Sequence, residues 1–150
     1  MKRILITGCS GFVGKNLLKK INYEEYEVHK IDSTFGDLSN PETWKNFKSC
    51  EYLIHLAAKT FVPDSWEKPF EFIKNNLLST ANALEFCSKN NTKLILLSSY
   101  MYGDPIKLPT PETHKLSANN PYGLSKLLAE EICRFYYECM KTEVIILRVF

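Results

Sequence analysis

The sequence predicts an α/β fold, a doubly wound parallel sheet with helices on both faces. Three features support this prediction. Short apolar runs alternate with amphipathic runs of helical periodicity along the chain. Residues 94–97 are four consecutive aliphatic residues, which is typical of a strand buried on both faces. The first apolar run ends at three glycines, Gly8, Gly11 and Gly14, and an amphipathic run follows at once.

The first half of the chain alternates between strand and helix patterns. Residues 2–7 are an apolar run that predicts the first strand, and residues 11–21 predict a helix because their aliphatic residues share one face. A second strand is predicted over 27–31. The helix predicted over 41–48 has a proline at its first position, preceded by a serine and an asparagine that can cap it. Residues 52–57 predict the third strand.

The second half repeats the alternation with longer helices. Residues 69–90 carry apolar residues at helical spacing and predict a long helix, which an apolar strand over 93–98 follows. A second long helix over 121–141 begins with proline, whose missing N–H is not needed there. The last strand is predicted over 143–149. Residues 102–120, rich in proline and polar residues, predict a long surface loop near a ligand.

Composition and charge exclude several classes of protein. The chain has 150 residues, enough for one domain with a substantial core. Its formal net charge of +2, spread over interspersed residues, argues against a nucleic-acid partner. No apolar run approaches the ~20 residues that cross a bilayer, so no membrane association is expected. The five cysteines lack metal-site spacing, and their odd number predicts reduced thiols in a cytoplasmic protein without a metal centre.

The three glycines have the spacing of a dinucleotide-binding turn. Gly8 permits a sharp turn, Gly11 permits close approach of a pyrophosphate, and Gly14 lets the helix pack near the strand. Asp32 follows Gly14 by 18 residues at the end of the second strand, where a carboxylate can bind both ribose hydroxyls and repel a 2′-phosphate. The pattern favours NAD over NADP. The alternatives are a glycine-rich loop and an exposed strand-end carboxylate without a ligand.

Two further groups of polar residues are candidates for catalysis. Tyr122 and Lys126 lie four residues apart on the helix predicted over 121–141, so they share one of its faces. An ammonium beside a phenol lowers the pKa of the phenol, which can then act as a general base or acid. Ser98 ends a buried strand at the sheet edge where doubly wound folds bind ligands. A surface tyrosine–lysine pair and a serine-rich turn are the non-catalytic alternatives.

Six short motifs follow one another in the order of a known family. They resemble T-G-x-x-G-F-x-G at residues 7–14, G-D-L at 36–38, H-x-A-A at 55–58, N-N-V-x-G-T at 75–80, S-S-x-x-V-Y-G around 98–103 and N-P-Y-x-x-S-K at 120–126. The chain thereby resembles, over its whole length, the NAD-dependent epimerase/dehydratase family of the extended short-chain dehydrogenase/reductase superfamily. This resemblance implies a Rossmann-type fold.

The resemblance also implies the roles of individual residues. Ser98, Tyr122 and Lys126 match the family's catalytic positions, and Tyr122 is expected to take a proton from a sugar hydroxyl while hydride passes to NAD. Phe150 matches an aromatic residue near the nicotinamide. The residues implied to bind the cofactor are Gly8, Gly11, Phe12, Val13, Gly14, Asp32, Asp37, Leu38, Leu56, Ala57, Ala58, Lys59, Asn76, Tyr122, Lys126 and Phe150.

The activity implied by the resemblance is 4-epimerisation of a nucleotide sugar through a transient 4-keto sugar. Dehydratases of the family carry Asp-Glu after the catalytic hydroxyl, whereas this chain has Ser99 and Tyr100, so epimerase is favoured over dehydratase. Only residues 33–35 separate Asp32 from Gly36, a short form similar to 4-keto-sugar reductases that use NAD(P)H. A non-catalytic dinucleotide-binding domain is the remaining alternative.

The resemblance leads to two expectations about size and assembly. Family members are about twice as long and carry a C-terminal substrate domain, so residues 1–150 are expected to be one NAD-binding domain, truncated at its C-terminal end and missing that substrate domain. The family commonly dimerises by pairing two long helices. A homodimer is therefore expected through residues 69–90 and 121–141.

Overall fold

A computed structural model describes residues 1–149. Five strands form one sheet, namely β1 (Lys2–Thr7), β2 (Tyr26–Ile31), β3 (Tyr52–His55), β4 (Lys93–Ser99) and β5 (Val144–Val149). The helices are α1 (Phe12–Leu18), α2 (Pro41–Trp44), α3 (Val62–Glu67), α4 (Pro69–Asn90) and α5 (Pro121–Met140), and a 3-10 turn spans Ser33–Phe35. The sheet order is β2-β1-β3-β4-β5 and every pairing is parallel. The predicted α/β fold with a parallel sheet is confirmed.

The two faces of the sheet carry different helices because successive strand residues point to opposite sides. Leu5, Leu53 and Leu94 point to the face that α4 and α5 cover, where the larger core cluster lies. Ile4 and Ile6 point to the other face and pack with aliphatic residues of α1. The same alternation places Thr7, His55, Ser98 and Arg148 on the α4–α5 face, at or near the strand ends. Polar side chains therefore lie at the carboxyl ends of the strands on this face, whereas the rest of the face is apolar.

Most differences from the predicted bounds are small and occur at element ends, where helices fray. Strand β1 and helix α4 have the predicted bounds. Helix α1 ends at Leu18, before the predicted residue 21. In the turn that follows it, the amides of Lys20 and Ile21 both donate to the Leu17 carbonyl. The helix predicted over 41–48 ends at Trp44, since the Phe47 amide bonds to the Trp44 carbonyl in a tight turn.

The other strand ends and the long loop complete the comparison. Strand β3 ends at His55 instead of residue 57, β2 and β4 each gain one residue, β5 begins one residue later than predicted, and α5 ends at Met140. Residues 102–120 contain neither helix nor strand, as predicted.

Helix α3 is absent from the sequence prediction. It has six residues, of which only Ser65 is buried, while Trp66 is largely exposed. A helix without a buried apolar stripe leaves no periodic signal in the sequence. Among the helices of residues 1–149, none combines the length and apolar character needed to cross a membrane.

The order of the strands fixes where a ligand can bind. The chain runs from β1 outward to β2 and then returns to the other side of β1 with β3. The connections that leave β1 and β3 therefore diverge, which opens a crevice at the carboxyl ends of these strands.

Candidate functional site

The glycine turn that follows β1 has almost no room for side chains. Gly8 has a φ of +69°, and a Cβ there would lie 2.7 Å from the Ala57 amide nitrogen. A Cβ at Gly14 would lie 2.5 Å from the Gly8 carbonyl oxygen. The Gly11 amide donates to that same carbonyl at 3.1 Å, which closes the turn before α1. Only glycine permits the close backbone contacts at Gly8 and Gly14.

A cavity of about 560 Å³ opens beside this turn, within the range of small-molecule sites. Among the predicted cofactor residues, those lining the cavity are Gly8, Gly11, Phe12, Val13, Gly14, Asp32, Asp37, Leu38, Leu56, Ala57, Ala58, Lys59 and Asn76. The lining also includes residues that the sequence analysis did not select, namely Ser10, Ile31, Ser33, Gly36, Ser39, Thr60, Asn75, Ser79 and Leu97. Gly36, Asn75 and Ser79 belong to the motifs at 36–38 and 75–80, so the motifs could have identified them, whereas the others carry no motif beyond their nearness in the chain to predicted site residues. The volume and the glycine-lined wall fit a dinucleotide.

Two carboxylates at the cavity are fixed by local hydrogen bonds. Asp32 accepts from the Thr34 amide at 2.9 Å and from the Thr34 hydroxyl at 2.7 Å, and these bonds lower the pKa of Asp32. Asp37 accepts from the Ser39 amide at 2.8 Å, and hydrogen bonds from Ser39 lower the pKa of this carboxyl. Both groups are therefore anionic near neutral pH. Each carboxylate also caps its own turn, which orients it without a ligand.

Asn76 links three elements around the cavity. Its side-chain oxygen accepts from the Lys59 amide at 2.8 Å, and its amide nitrogen donates to the Lys59 carbonyl at 3.0 Å and the Ser125 hydroxyl at 2.8 Å. The side chain is 2% exposed. The resemblance implies a cofactor contact for Asn76, and the structure shows that its polar atoms also tie the loop after β3 to α4 and α5.

The three predicted catalytic residues come from β4 and α5. Ser98 ends the buried face of β4, and its hydroxyl has no hydrogen-bond partner within residues 1–149. This hydroxyl is therefore free to donate a hydrogen bond to a group outside the described chain. Tyr122 lies in the first turn of α5, which Asn120 caps by accepting from the Gly123 amide at 2.7 Å. The Ser125 hydroxyl donates to the Tyr122 carbonyl at 2.7 Å and further fixes this turn.

Lys126 lies one helical turn after Tyr122 and is only 5% exposed. Its ammonium donates to the Leu97 carbonyl at 2.6 Å, and Leu97 also lines the cavity. Burial lowers the pKa of Lys126 to about 8. Tyr122 and Lys126 do not line the cavity itself, and the Phe150 prediction lies outside the described residues.

Two polar groups at the strand ends were missed by the sequence analysis. His55 is buried, its Nδ1 lies 2.8 Å from the Thr7 hydroxyl, and that hydroxyl oxygen also accepts from the Ala57 amide at 3.3 Å. Burial lowers the pKa of His55 to about 3, so the ring is neutral at neutral pH. Glu130 and Arg148 form a second group, with an ion pair of 2.6 Å. An arginine inside the apolar run of β5 is a signal that could have predicted a buried partner.

Comparison with known proteins identifies the family. The family model described as "NAD dependent epimerase/dehydratase family" matches residues 4–150. A UDP-glucose 4-epimerase of Pisum sativum is 33% identical over 164 residues, which cover 89% of this chain and 47% of the relative. The UDP-Glc/GlcNAc 4-epimerase of Campylobacter jejuni has a TM-score of 0.91 at 27% identity, covering all of this chain and 54% of that one.

A second solved structure agrees with the first. UDP-glucose 4-epimerase from Brucella ovis, in complex with NAD, has a TM-score of 0.90 at 28% identity and covers 100% of this chain and 52% of that one. The chain thus spans about half the length of the relatives that it matches. From the family model, the ordered motifs and the shared fold together, we conclude that the chain belongs to the NAD dependent epimerase/dehydratase family, a family of enzymes.

Proposed function

We propose that this chain is the dinucleotide-binding part of an NAD-dependent nucleotide-sugar 4-epimerase. One observation carries the proposal. The wall of the glycine-lined cavity includes Leu97, whose carbonyl accepts from Lys126. The next residue, Ser98, has a buried hydroxyl without a hydrogen-bond partner in the part of the chain that the structure describes. A dinucleotide site and a buried proton-handling group therefore meet at one sheet edge.

NAD is the cofactor that the cavity would hold. The backbone around Gly11 would face the pyrophosphate, Asp37 and Leu38 the adenine, and Lys126 the nicotinamide ribose. The anionic carboxylate of Asp32 would accept from the ribose hydroxyls and repel a 2′-phosphate, which favours NAD over NADP. When bound, the cofactor supplies a hydride acceptor and donor.

The chain's own residues would then handle the protons. Tyr122 would take the proton from the hydroxyl at C4 of the sugar and return it after the sugar has turned over. Ser98 would donate its free hydroxyl hydrogen to the same sugar oxygen and stabilise charge on it. Lys126, if charged, would favour the phenolate of Tyr122 from one helical turn away.

Tyr122→Phe tests the catalytic role because it removes only the phenolic oxygen. We expect NADH affinity to fall by less than about threefold in the variant in a fluorescence titration. Conversion of UDP-glucose to UDP-galactose by the full enzyme that contains this chain should fall by about 10²–10⁴-fold. Tyr137→Phe on the same helix, where the side chain is 59% exposed, is the matched control and keeps full turnover. Absence of NADH binding to the wild-type chain would refute the proposal. NADH binding with no product from the full enzyme that contains this chain would favour the non-catalytic dinucleotide-binding alternative.

A 4-keto-sugar reductase is the second candidate. The short 3-10 turn Ser33–Phe35 is all that separates Asp32 from Gly36, and this compact form favours the reductase. Oxidation of NADPH by a 4-keto nucleotide sugar, faster than any epimerisation of UDP-glucose, would establish this candidate.

The proposed enzyme is a homodimer that pairs α4 and α5. Phe135 and Tyr137 on α5 are each more than half exposed, and Leu78 on α4 is 40% exposed, which gives the two helices apolar surface to cover. Light scattering of the wild type and of Phe135→Glu should show a dimer and a monomer, respectively. A cytoplasmic location is proposed with it, because all five cysteines are free thiols in the described chain.

A further inference from the structure

Glu130 is a buried carboxylate one helical turn beyond Lys126. Its exposure is 0%, and that of Lys126 is 5%. Residues four apart on a helix are neighbours on its surface, so Glu130 is the carboxylate that α5 itself offers to Lys126. A lysine and a glutamate placed in this way in a dry environment attract each other strongly. Yet the hydrogen bond of the Lys126 ammonium goes to the Leu97 carbonyl instead.

Arg148 of β5 binds the carboxylate of Glu130, which Lys126 could otherwise bind. Its Nε lies 3.0 Å and 3.1 Å from the two oxygens of Glu130, and its Nη2 lies 2.6 Å from Oε2. The Nη1 atom donates to the Tyr102 hydroxyl at 2.8 Å, which holds the guanidinium in place. A guanidinium fork matches both oxygens of a carboxylate, whereas an ammonium makes a point contact. Glu130 is therefore fully engaged on the side of β5.

Two further ionisable groups within residues 1–149 interact with Lys126, and both are neutral near pH 7. His55 on β3 and Cys133 on α5 interact electrostatically with Lys126. Burial lowers the pKa of His55 to about 3 and raises the pKa of Cys133 to about 12, so neither is charged near pH 7. Of the groups within residues 1–149 that interact with Lys126 in this way, Glu130 is the one in an ion pair, with Arg148 at 2.6 Å. The position of the Glu130 carboxylate therefore determines the electrostatic surroundings of Lys126.

We propose that Arg148 is a positioning residue, which holds Glu130 away from Lys126 so that the ammonium stays at the Leu97 carbonyl beside the cavity. This inference rests on the proposed role of Lys126 at the cofactor. Without Arg148, the unpaired Glu130 carboxylate captures Lys126 along α5 and withdraws it from the sheet edge. If Glu130 is replaced in a variant that also lacks Arg148, Lys126 should return to the Leu97 carbonyl, because no carboxylate remains beside it on α5.

The test compares Arg148→Met, Glu130→Gln and the double variant. The Nζ resonance of Lys126 is followed by NMR as a function of pH and identified by its loss in Lys126→Arg. Arg148→Met should raise the pKa of Lys126 by at least about one unit and weaken NADH binding by about tenfold. The double variant should return the pKa to the wild-type value or below and restore NADH affinity to within about threefold.

The outcomes separate this inference from a purely structural role and from the cofactor proposal. If the double variant is as impaired as Arg148→Met, or if folded Arg148→Met leaves the Lys126 pKa unchanged, the inference is wrong. Should Arg148→Met fail to fold, Arg148→Lys replaces it, since a point charge leaves one oxygen of Glu130 for Lys126. A raised Lys126 pKa then supports the inference, and an unchanged one overturns it. If the wild type binds no NADH, the cofactor proposal fails, while the lysine resonance still tests Arg148.

Discussion

The glycine turn and the group of residues Ser98, Tyr122 and Lys126 differ in whether backbone or side chains face the site. At Gly8 and Gly14 the chain has no room for a Cβ, because backbone atoms already lie within 3 Å of that position. On β4 and α5, by contrast, polar side chains are buried, among them a lysine, a glutamate and a serine hydroxyl that has no hydrogen-bond partner within residues 1–149. One region presents backbone to the cavity, and the other buries polar side chains.

The two regions should therefore respond differently to substitution. A side chain added at Gly8 or Gly14 meets backbone atoms within 3 Å, so stability and binding should be lost together there. The buried polar side chains on β4 and α5 have a high desolvation cost. Replacing one of them by an apolar side chain can therefore leave the fold intact or even stabilise it. Substitutions in the two regions should therefore differ in how much stability they cost.

Gly14→Ala should be the most damaging change. Its Cβ would lie 2.5 Å from the Gly8 carbonyl oxygen and 2.6 Å from the Cys9 Cα, and these are backbone atoms. We expect a loss of at least about 3 kcal/mol in the free energy of unfolding, measured in urea, with loss of NADH binding. Gly11→Ala is the control, since its nearest such contact is 3.3 Å. It should lose less than about 1 kcal/mol yet still bind NADH more weakly. Equal stability losses in both variants would remove the contrast.

His55 makes the strand ends sensitive to acid. Its pKa is lowered by burial from 6.5 to about 3, so between these values the unfolded chain binds a proton that the folded protein does not. Stability therefore falls as the pH decreases through this window, by about 3 kcal/mol at about pH 4.5. His55→Asn should lose this part of the acid dependence. His29→Asn, at a half-exposed histidine, should keep it, and identical urea midpoints for all three proteins across the window would contradict the expectation.

Lys126→Met should separate function from stability. The pKa of Lys126 is lowered from 10.5 to about 8, so the folded wild type gains stability as the pH rises from about 8 to 10.5. We expect a wild-type gain of order 2 kcal/mol between about pH 7 and 10 that the variant lacks, together with weakened NADH binding in the variant. Lys141→Met, at an exposed position at the end of α5, is the control and should behave as wild type. A variant less stable than wild type by the same amount at both pH values would show that Lys126 is a structural residue.

Asp32→Asn tests cofactor choice and has the smallest expected effect. The amide oxygen can still accept from Thr34, so the turn is kept while the negative charge is removed. We expect NADPH to gain about tenfold in affinity relative to NADH, equivalent to about 1.4 kcal/mol. Asp37→Asn keeps the analogous bond from Ser39 at the same cavity and should leave the ratio unchanged. Equal shifts in both variants would assign the preference to the net charge of the cavity.

The sequence was sufficient to predict the parallel α/β sheet, the long helix over 69–90 and thirteen of the residues that line the cavity. These features depend on local periodicity and on motifs whose residues lie close together in the chain. Helix α3 was missed because it buries only Ser65. The roles of Ser98, Tyr122 and Lys126 remain predictions, because they depend on a substrate and a cofactor.

The glycine turn at residues 8–14 follows from the local sequence, because backbone freedom is a property of single residues. The pairing of Lys126, Glu130 and Arg148, in contrast, depends on how α5 and β5 pack together. Spacing along α5 would pair Lys126 with Glu130, but β5 brings Arg148 to the same carboxylate and its fork takes both oxygens. The packing of β5 against α5 decides which of the two cations pairs with the buried carboxylate, and no local sequence pattern specifies that pairing.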